Sequence, residues 1–231
     1  HNVIVLDDLS SGCNLNLFHS IQKHQDHVTF VKGNCRQAKD LEKALKGVEA
    51  AFHFAANPEV RLELADPKKC YEQNIEATYI LLQRMRKSNV KSIVFASSST
   101  IYGDATTIPT PEHYGPLKPI SVYGASKLAC EALVSSYCYS FKKKGIIIRP
   151  ANIVGPRTTH GVILDFIKKL KTNPSELEIL GDGTQAKSYL YIDDCIDAIM
   201  KAYESAEETV TIYNIGSEDQ TNVTEIANII I

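Results

Sequence analysis

Tyr123 and Lys127 are the two side chains whose types and spacing point most directly to chemistry. They lie in residues 121–131, where small and straight-chain residues favour a helix with Ser121 as its N-cap. Four residues make about one helical turn, so the two side chains would share a face. An ammonium beside a phenol favours the phenolate and lowers its pKa, which is about 10 in isolation. The spacing therefore predicts a tyrosine that acts as a general base near neutral pH.

A run of hydroxyl residues precedes this helix in the chain. The apolar residues 93–96 are followed by four hydroxyl residues, 97–100, and then by Tyr102 and Gly103. We expect a buried strand that delivers the hydroxyls to the edge of a sheet. Tyr-x-x-x-Lys alone is a weak motif, because both residues are common on helices and usually form an exposed pair. The combination with the hydroxyl-ended strand is much more specific.

This combination resembles the extended short-chain dehydrogenase/reductase family, and within it the nucleotide-sugar epimerases of the UDP-glucose 4-epimerase type. The resemblance runs from about residue 3 to residue 216. It implies NAD as a bound cofactor, with Tyr123 as the base, Ser98 as the proton relay and Lys127 as the group that binds the nicotinamide ribose. The implied reaction inverts a UDP-hexose, UDP-glucose or UDP-galactose, at C4 through a keto sugar.

The adenosine end of the cofactor would lie near the start of the chain. Asp7 ends an apolar run, where a carboxylate can accept hydrogen bonds from the ribose hydroxyls of NAD and repel the 2'-phosphate of NADP. A plain acidic turn residue fits the local pattern equally well, but the resemblance places the ribose-binding aspartate here. It also places Asn34 and Cys35 where relatives carry Asp-Ile against the adenine, and an asparagine oxygen can still accept that hydrogen bond. Further cofactor contacts implied by the resemblance are Phe54, Ala55, Ala56, Asn74, Ser97 and Pro150, with Asn74 bracing the active-site strand.

The resemblance also implies a set of substrate contacts. Lys187 stands where relatives carry an arginine on the substrate diphosphate; a lysine keeps the charge but loses the two-pronged geometry. The implied substrate-binding residues are Ser98, Thr100, Tyr123, Asn152, Gly161, Val162 and Lys187.

The alternation of apolar strands with helical stretches predicts an α/β fold, a Rossmann-like doubly wound parallel sheet with a smaller substrate-binding lobe. We expect the dinucleotide-binding domain to comprise residues 1–159 and 189–213, and the partial lobe residues 160–188 and 214–231. Residues 177–180 are predicted to form a short strand. Relative to the family, the chain begins at the second strand, without the Gly-rich phosphate turn, and ends before the C-terminal segment. The sequence leaves open whether it is a fragment or a protein without that turn.

Composition excludes several functional classes. The chain has 231 residues, 44% of them hydrophobic, and a formal net charge of -2 with both signs interspersed. This predicts neither a nucleic-acid partner nor a membrane surface. Six cysteines without a C-x-x-C pair or a metal-type spacing indicate free thiols, no metal site and a reducing, cytoplasmic compartment.

Three alternatives stay open beside the epimerase. A nucleotide-sugar dehydratase or reductase is the nearest, but dehydratase relatives place an Asp-Glu pair where this chain has Ser99 and Thr100. The chain could instead be a non-catalytic module that binds NAD or a nucleotide sugar, or a structural partner that retains the fold. The resemblance also implies a homodimer.

Overall fold

The computed structural model describes residues 1–12, 15–58 and 66–231. The strands are β1 (Val3–Asp7), β2 (Val28–Lys32), β3 (Ala50–His53), β4 (Ser92–Ala96), β5 (Lys144–Pro150), β6 (Asn152–Val154), β7 (Ala186–Lys187), β8 (Tyr189–Tyr191), β9 (Val210–Ile215) and β10 (Thr221–Asn222). The helices are α1 (Leu15–Lys23), α2 (Ala38–Ala44), α3 (Lys68–Cys70), α4 (Ala77–Met85), α5 (Val122–Phe141), α6 (Val162–Thr172), α7 (Ile192–Ser205) and α8 (Val223–Ile230). A π-helical segment, Tyr71–Glu76, joins α3 to α4, and a 3-10 turn, Ser99–Tyr102, follows β4.

A four-stranded parallel sheet in the order β3-β4-β5-β9 forms the centre of the fold. Successive side chains of β4 point to opposite faces, so Ile93 and Phe95 pack with α2, α4 and α5 while Val94 packs with α7. Both faces are covered by helices, which explains why β4 and β5 read as continuous apolar runs. The predicted doubly wound parallel sheet is confirmed.

Strands β1 and β2 form a separate parallel pair, in register from Val3 opposite Val28 to Asp7 opposite Lys32. Leu6 packs against the same cluster as α2 and α4, whereas Val3 and Ile4 are exposed. Leu6, near the carboxyl end of β1, thus connects this pair to the main cluster.

A smaller cluster is built around Phe166 on α6 and Ile226 and Ala227 on α8. The strand predicted at residues 177–180 is wrong: Leu177 and Ile179 pack against this cluster in an irregular segment. Apolar packing alone does not make a strand, since a strand also needs a neighbour for its backbone hydrogen bonds. Strand β9 continues to Ile215, two residues past the predicted boundary at 213, and the division into two domains stays a prediction.

No cysteine in the described part of the chain forms a disulfide, and the thiols of Cys70, Cys130, Cys138 and Cys195 are buried as expected. Cys13 lies outside the described residues. Over the ranges that the structure describes, no helix has both the length and the apolar character to cross a membrane, and no three His, Cys, Asp or Glu side chains converge as a metal site would require.

Candidate active site

Helix α5 begins where the sequence predicted. The Ser121 hydroxyl accepts a hydrogen bond from the Gly124 backbone N–H at 2.9 Å, as an N-cap does. A Cβ atom on Gly124 would lie 2.9 Å from the carbonyl oxygen of Thr100. Glycine at this position therefore lets the first turn of α5 pack directly against the turn that follows β4.

This close packing brings Ser98 to Tyr123. The Ser98 hydroxyl accepts hydrogen bonds from the backbone N–H of Thr100 at 3.2 Å and from its hydroxyl at 3.0 Å. Ser98 also hydrogen-bonds the Tyr123 side chain, an interaction that favours the phenolate. Ser98, Thr100 and Tyr123 thus form one chain of hydroxyl groups, as their predicted roles require.

Lys127 lies one helical turn beyond Tyr123 on α5 and is almost fully buried, with 3% of the residue exposed. Its ammonium donates to the carbonyl oxygen of Ala96 at 2.6 Å and lies 5.1 Å from the Phe95 ring centroid and 5.8 Å from that of Tyr123. Burial lowers the pKa of Lys127 to about 8, against the opposing effect of Cys130 and Glu131. The predicted shared face is confirmed.

The direction predicted for the pKa of Tyr123 is not what the structure shows. Burial raises the pKa of Tyr123, and the nearby Cys70 adds to this, while the Ser98 hydrogen bond acts in the opposite direction. The Lys127 ammonium is held by a backbone carbonyl and not by the phenol oxygen. Desolvation therefore outweighs the Ser98 hydrogen bond in setting the direction of the shift.

Asn74 joins the end of β3 to the helix of Tyr123. Its side chain accepts from the Asn57 N–H at 2.7 Å and donates to the Asn57 carbonyl at 3.2 Å and to the Ser126 hydroxyl at 2.8 Å. Ser126 in turn donates to the Tyr123 carbonyl at 2.7 Å. Asn74 thus braces the segment after β3 and α5, not the active-site strand as predicted. Sequence reasoning missed Ser126, although a serine between Tyr123 and Lys127 was visible.

His53 is a packed residue of β3. Its Nε2 lies 3.0 Å from the Thr78 hydroxyl and its ring 5.9 Å from that of Phe95. Burial, and then the charge of Lys127, lower the pKa of His53 to about 3. The ring is therefore neutral at pH 7 and adds no second positive charge beside Lys127.

The predicted adenosine contacts lie together at the carboxyl ends of β1 and β2. Asp7 is exposed and accepts from the Leu9 N–H at 2.7 Å, which leaves its second carboxylate oxygen toward solvent. The Asn34 side-chain oxygen accepts from the Arg36 N–H at 2.8 Å, and its amide nitrogen donates to Asp8 at 3.0 Å. Cys35 is half-buried, and burial raises the pKa of its thiol to about 11.

The remaining predicted cofactor residues lie along the carboxyl edge of the four-stranded sheet. Phe54 and Ala55 are exposed after β3, Ala56 is half-buried, and Pro150 ends β5. The Ser97 hydroxyl is buried and finds no hydrogen-bond partner among the residues described. A buried orphan hydroxyl and an ammonium with spare donors, beside exposed apolar residues, suit a ligand with hydroxyl groups and a flat ring. The residues present fit NAD.

The predicted substrate residues outside the hydroxyl cluster lie on β6, at the start of α6 and on β7. The Asn152 amide nitrogen donates to the Ser188 carbonyl at 3.0 Å, so part of this side chain ties β6 to the residue before β8. Gly161 precedes α6 with φ +108°, a conformation that favours glycine, and Val162 is the first residue of that helix. Lys187 is exposed on β7.

Sequence reasoning also missed a buried ion pair between Arg149 on β5 and Glu131 on α5. A charged residue directly after three isoleucines in a buried strand was the available signal. Such a residue needs a partner in the interior.

Comparison with known proteins agrees with this geometry. A UDP-glucose 4-epimerase of Mycolicibacterium smegmatis is 33% identical over 233 residues, which cover 98% of this chain and 72% of that protein. A crystal structure of a UDP-galactose 4-epimerase superimposes with a TM-score of 0.87 at 40% identity, over 99% of this chain and 73% of that one. A UDP-glucose 4-epimerase of Thermotoga maritima, solved with UDP-glucose, gives a TM-score of 0.88 at 29% identity, over 100% of this chain and 74% of that one.

The family model for these proteins extends over nearly the whole of the present chain. It matches residues 1–216, which include β1, the hydroxyl cluster and the Tyr123–Lys127 helix. The chain therefore belongs to the NAD dependent epimerase/dehydratase family.

Proposed function

We propose that this protein is a nucleotide-sugar epimerase that inverts C4 of a UDP-hexose, interconverting UDP-glucose and UDP-galactose. One observation carries the proposal: Ser98 hydrogen-bonds Tyr123, and Lys127 lies one turn further along the same helix. Beside them the buried Ser97 hydroxyl has no hydrogen-bond partner in the described part of the chain. This arrangement suits the removal of a proton from a sugar hydroxyl.

The chain's own groups supply the proton chemistry. Ser98 hydrogen-bonds the sugar oxygen and passes its proton to Tyr123, while Thr100 donates to Ser98 and keeps its hydroxyl oriented. NAD, bound along this edge, would supply the hydride acceptor and donor that inversion at C4 requires. Lys127 holds the nicotinamide ribose, and its charge favours the Tyr123 phenolate once the site is filled.

The cofactor is held along the edge described above. Asp7 accepts from the adenosine ribose, beside Asn34 and Cys35, and its charge disfavours the 2'-phosphate of NADP. Phe54, Ala55, Ala56, Ser97 and Pro150 line the nicotinamide half. Asn74 sets the position of the segment after β3 through Asn57.

The nucleotide sugar occupies the side nearer the smaller lobe. The side-chain oxygen of Asn152 can accept a hydrogen bond from the nucleotide sugar. The backbone N–H groups of Gly161 and Val162, at the start of α6, can donate to its phosphates. Lys187, exposed on β7, binds the diphosphate as a point charge. On this arrangement we propose a partition into a dinucleotide-binding domain and a substrate-binding lobe.

The homodimer and the compartment are part of the proposal. Helices α4 and α5 expose large aromatic side chains, with Tyr79 46% and Tyr139 63% exposed, as a face between two copies would. Buried cysteines without a disulfide among the described residues suit the reducing cytoplasm.

A panel of UDP- and dTDP-sugars, incubated with the chain and excess NAD, tests the proposal. We expect UDP-galactose to give UDP-glucose without net NADH. A 4-keto-6-deoxy product would favour a dehydratase, although Ser99 and Thr100 offer no carboxyl group to expel water. Binding of NAD or sugar without any product would favour the non-catalytic module.

A further inference from the structure

Arg149 and Glu131 form an ion pair in the interior, with 3% and 6% of their side chains exposed. The pair is bidentate: Nε of Arg149 donates to one carboxylate oxygen at 3.0 Å and Nη2 to the other at 2.7 Å. Burying two charges is expensive, and apolar replacements are often at least as stable. Stability alone is therefore a poor explanation for this pair.

The guanidinium of Arg149 has further partners. Its Nη1 donates to the Tyr102 hydroxyl at 2.8 Å and to the Glu112 carbonyl at 2.9 Å, and the group lies 5.0 Å from the Tyr102 ring centroid. The Tyr102 hydroxyl donates to Asn214 Oδ1 at 2.7 Å. The Arg149 guanidinium thus connects β5, α5, the turn after β4, the loop that carries Glu112 and, through Tyr102, the end of β9.

Two of these partners belong to the elements that carry the proposed reacting groups. Glu131 lies one turn beyond Lys127 and two turns beyond Tyr123 on α5. Tyr102 ends the 3-10 turn whose N-cap is Ser98. Arg149 therefore contacts both elements that carry the Ser98–Tyr123 hydrogen bond. It contacts α5 through Glu131 and the 3-10 turn through Tyr102.

The geometry points to Arg149, acting through Tyr102 and Glu131, as the positioning residue that sets Ser98 against Tyr123. This inference rests on the proposed function for the roles of those two hydroxyls. It assigns Arg149 no contact with substrate or cofactor. Its effect is to align the Ser98 donor with the Tyr123 oxygen.

The variant Tyr102→Phe, which lacks only the hydroxyl oxygen of Tyr102, tests the inference. Without that oxygen, Arg149 loses an acceptor and the Ser98 turn loses its link to β5 and β9, so the Ser98 hydrogen bond to the Tyr123 phenolate weakens. Because a hydrogen bond to a charged group is worth one to two pKa units, we expect the ionisation constant of Tyr123 to fall about tenfold. Within the described residues, Lys127 from its own helix and Cys70 from α3 also face Tyr123, and both are left in place.

Fluorine NMR on chain labelled with 3,5-difluorotyrosine measures this directly, because the fluorinated phenol ionises at a lower pH where the fold persists. Tyr123→Phe identifies the resonance among the 11 tyrosines. Tyr114→Phe is the matched control: its ring packs on Tyr102 at 6.1 Å, but its hydroxyl bonds only Thr106 within the loop. We expect no change in the Tyr123 titration there.

Arg149→Lys is a second variant, which keeps the positive charge but loses the bidentate contact to Glu131. It should shift the Tyr123 titration in the same direction. An unchanged Tyr123 titration in folded Tyr102→Phe or Arg149→Lys would overturn the inference, since a purely structural role lowers stability without moving this resonance. The measurement needs no substrate or cofactor. A lack of epimerase activity would therefore refute the proposed function, while the Tyr123 titration would still test the role of Arg149.

Discussion

The two ends of the proposed cofactor site are built in opposite ways. At the edge of the four-stranded sheet, Ser97, Ser98 and Lys127 are buried, and the side chains of Ser98 and Lys127 are held by long-range contacts to neighbouring elements. At the end of β1, Asp7 is exposed and its carboxylate is fixed by the backbone N–H two residues away. Buried polar groups are expensive and sensitive to change, whereas exposed ones act mainly through their charge. The chemical end should therefore couple activity to stability, and the adenosine end should not.

The largest effect is expected from Tyr123→Phe, which removes the proposed base. Turnover should fall at least ~100-fold, the usual contribution of general-base catalysis, while NAD affinity stays near that of the wild type. Steady-state kinetics and NAD titration measure the two quantities. Tyr139→Phe, an exposed tyrosine on the same helix, should leave both unchanged. Wild-type turnover in Tyr123→Phe would refute the role of this residue.

Lys127→Met should separate stability from function. Since burial lowers the folded-state pKa of Lys127 to about 8, the charged form is penalised in the folded chain, and the penalty is complete below pH 8. Removing the charge should stabilise the chain at pH 7 by on the order of 2–3 kcal/mol, and the gain should shrink as pH rises from about 8 toward the unfolded pKa.

Turnover and NAD retention should both be lost in the same variant, because Lys127 holds the ribose. Urea unfolding at pH 7 and pH 9 measures the stability difference. Lys201→Met, at an exposed position of α7, is the control and should change stability little. A destabilised Lys127→Met at pH 7 would show that the Ala96 carbonyl and Phe95 ring outweigh desolvation.

His53 should make the free energy of unfolding depend on pH. Its folded-state pKa of about 3 lies below the unfolded value, so its contribution to stability is complete above about pH 6.5 and is lost as pH falls. Between pH 6.5 and 5 the free energy of unfolding should fall by up to ~1.4 kcal/mol per unit from this group. His53→Gln should flatten that slope in urea titrations, whereas His24→Gln, at an exposed site, should not. Equal slopes in all three proteins would exclude this account.

The smallest effect is expected at Asp7. Asp7→Asn keeps an oxygen for the Leu9 N–H but removes the charge, so NADP binding should improve relative to NAD. Stability should change by less than about 0.5 kcal/mol, as at most exposed sites. Parallel titrations with both cofactors measure the preference, and Asp26→Asn at the opposite end of β2 serves as control. Tighter binding of NADP than NAD by the wild type would contradict the assignment.

Local patterns were enough to predict the helix of Tyr123. The Ser121 cap, the shared face of Tyr123 and Lys127 and the strand that ends at Ala96 each follow from spacing within a few residues. The alternation of strands and helices likewise predicted the parallel sheet.

What the sequence could not predict depends on contacts between distant segments. The raised pKa of Tyr123 follows from burial, and the partner of Lys127 is a backbone carbonyl 31 residues away. The π-helical segment that carries Asn74 and the Arg149–Glu131 pair depend on how helices dock on the sheet. Residue types indicate which groups can react, but burial decides their protonation.

The hydride mechanism is tested most directly by following C4 of the sugar in heavy water. UDP-galactose is incubated with the chain and NAD in D2O, and the UDP-glucose formed is analysed by proton NMR and mass spectrometry. Because the hydrogen leaves as hydride and returns to the same carbon, we expect protium at C4 of the product, with solvent exchange confined to hydroxyl groups. Deuterium at C4 would mean that the carbon is deprotonated to solvent, and would contradict the roles proposed for Tyr123 and Ser98.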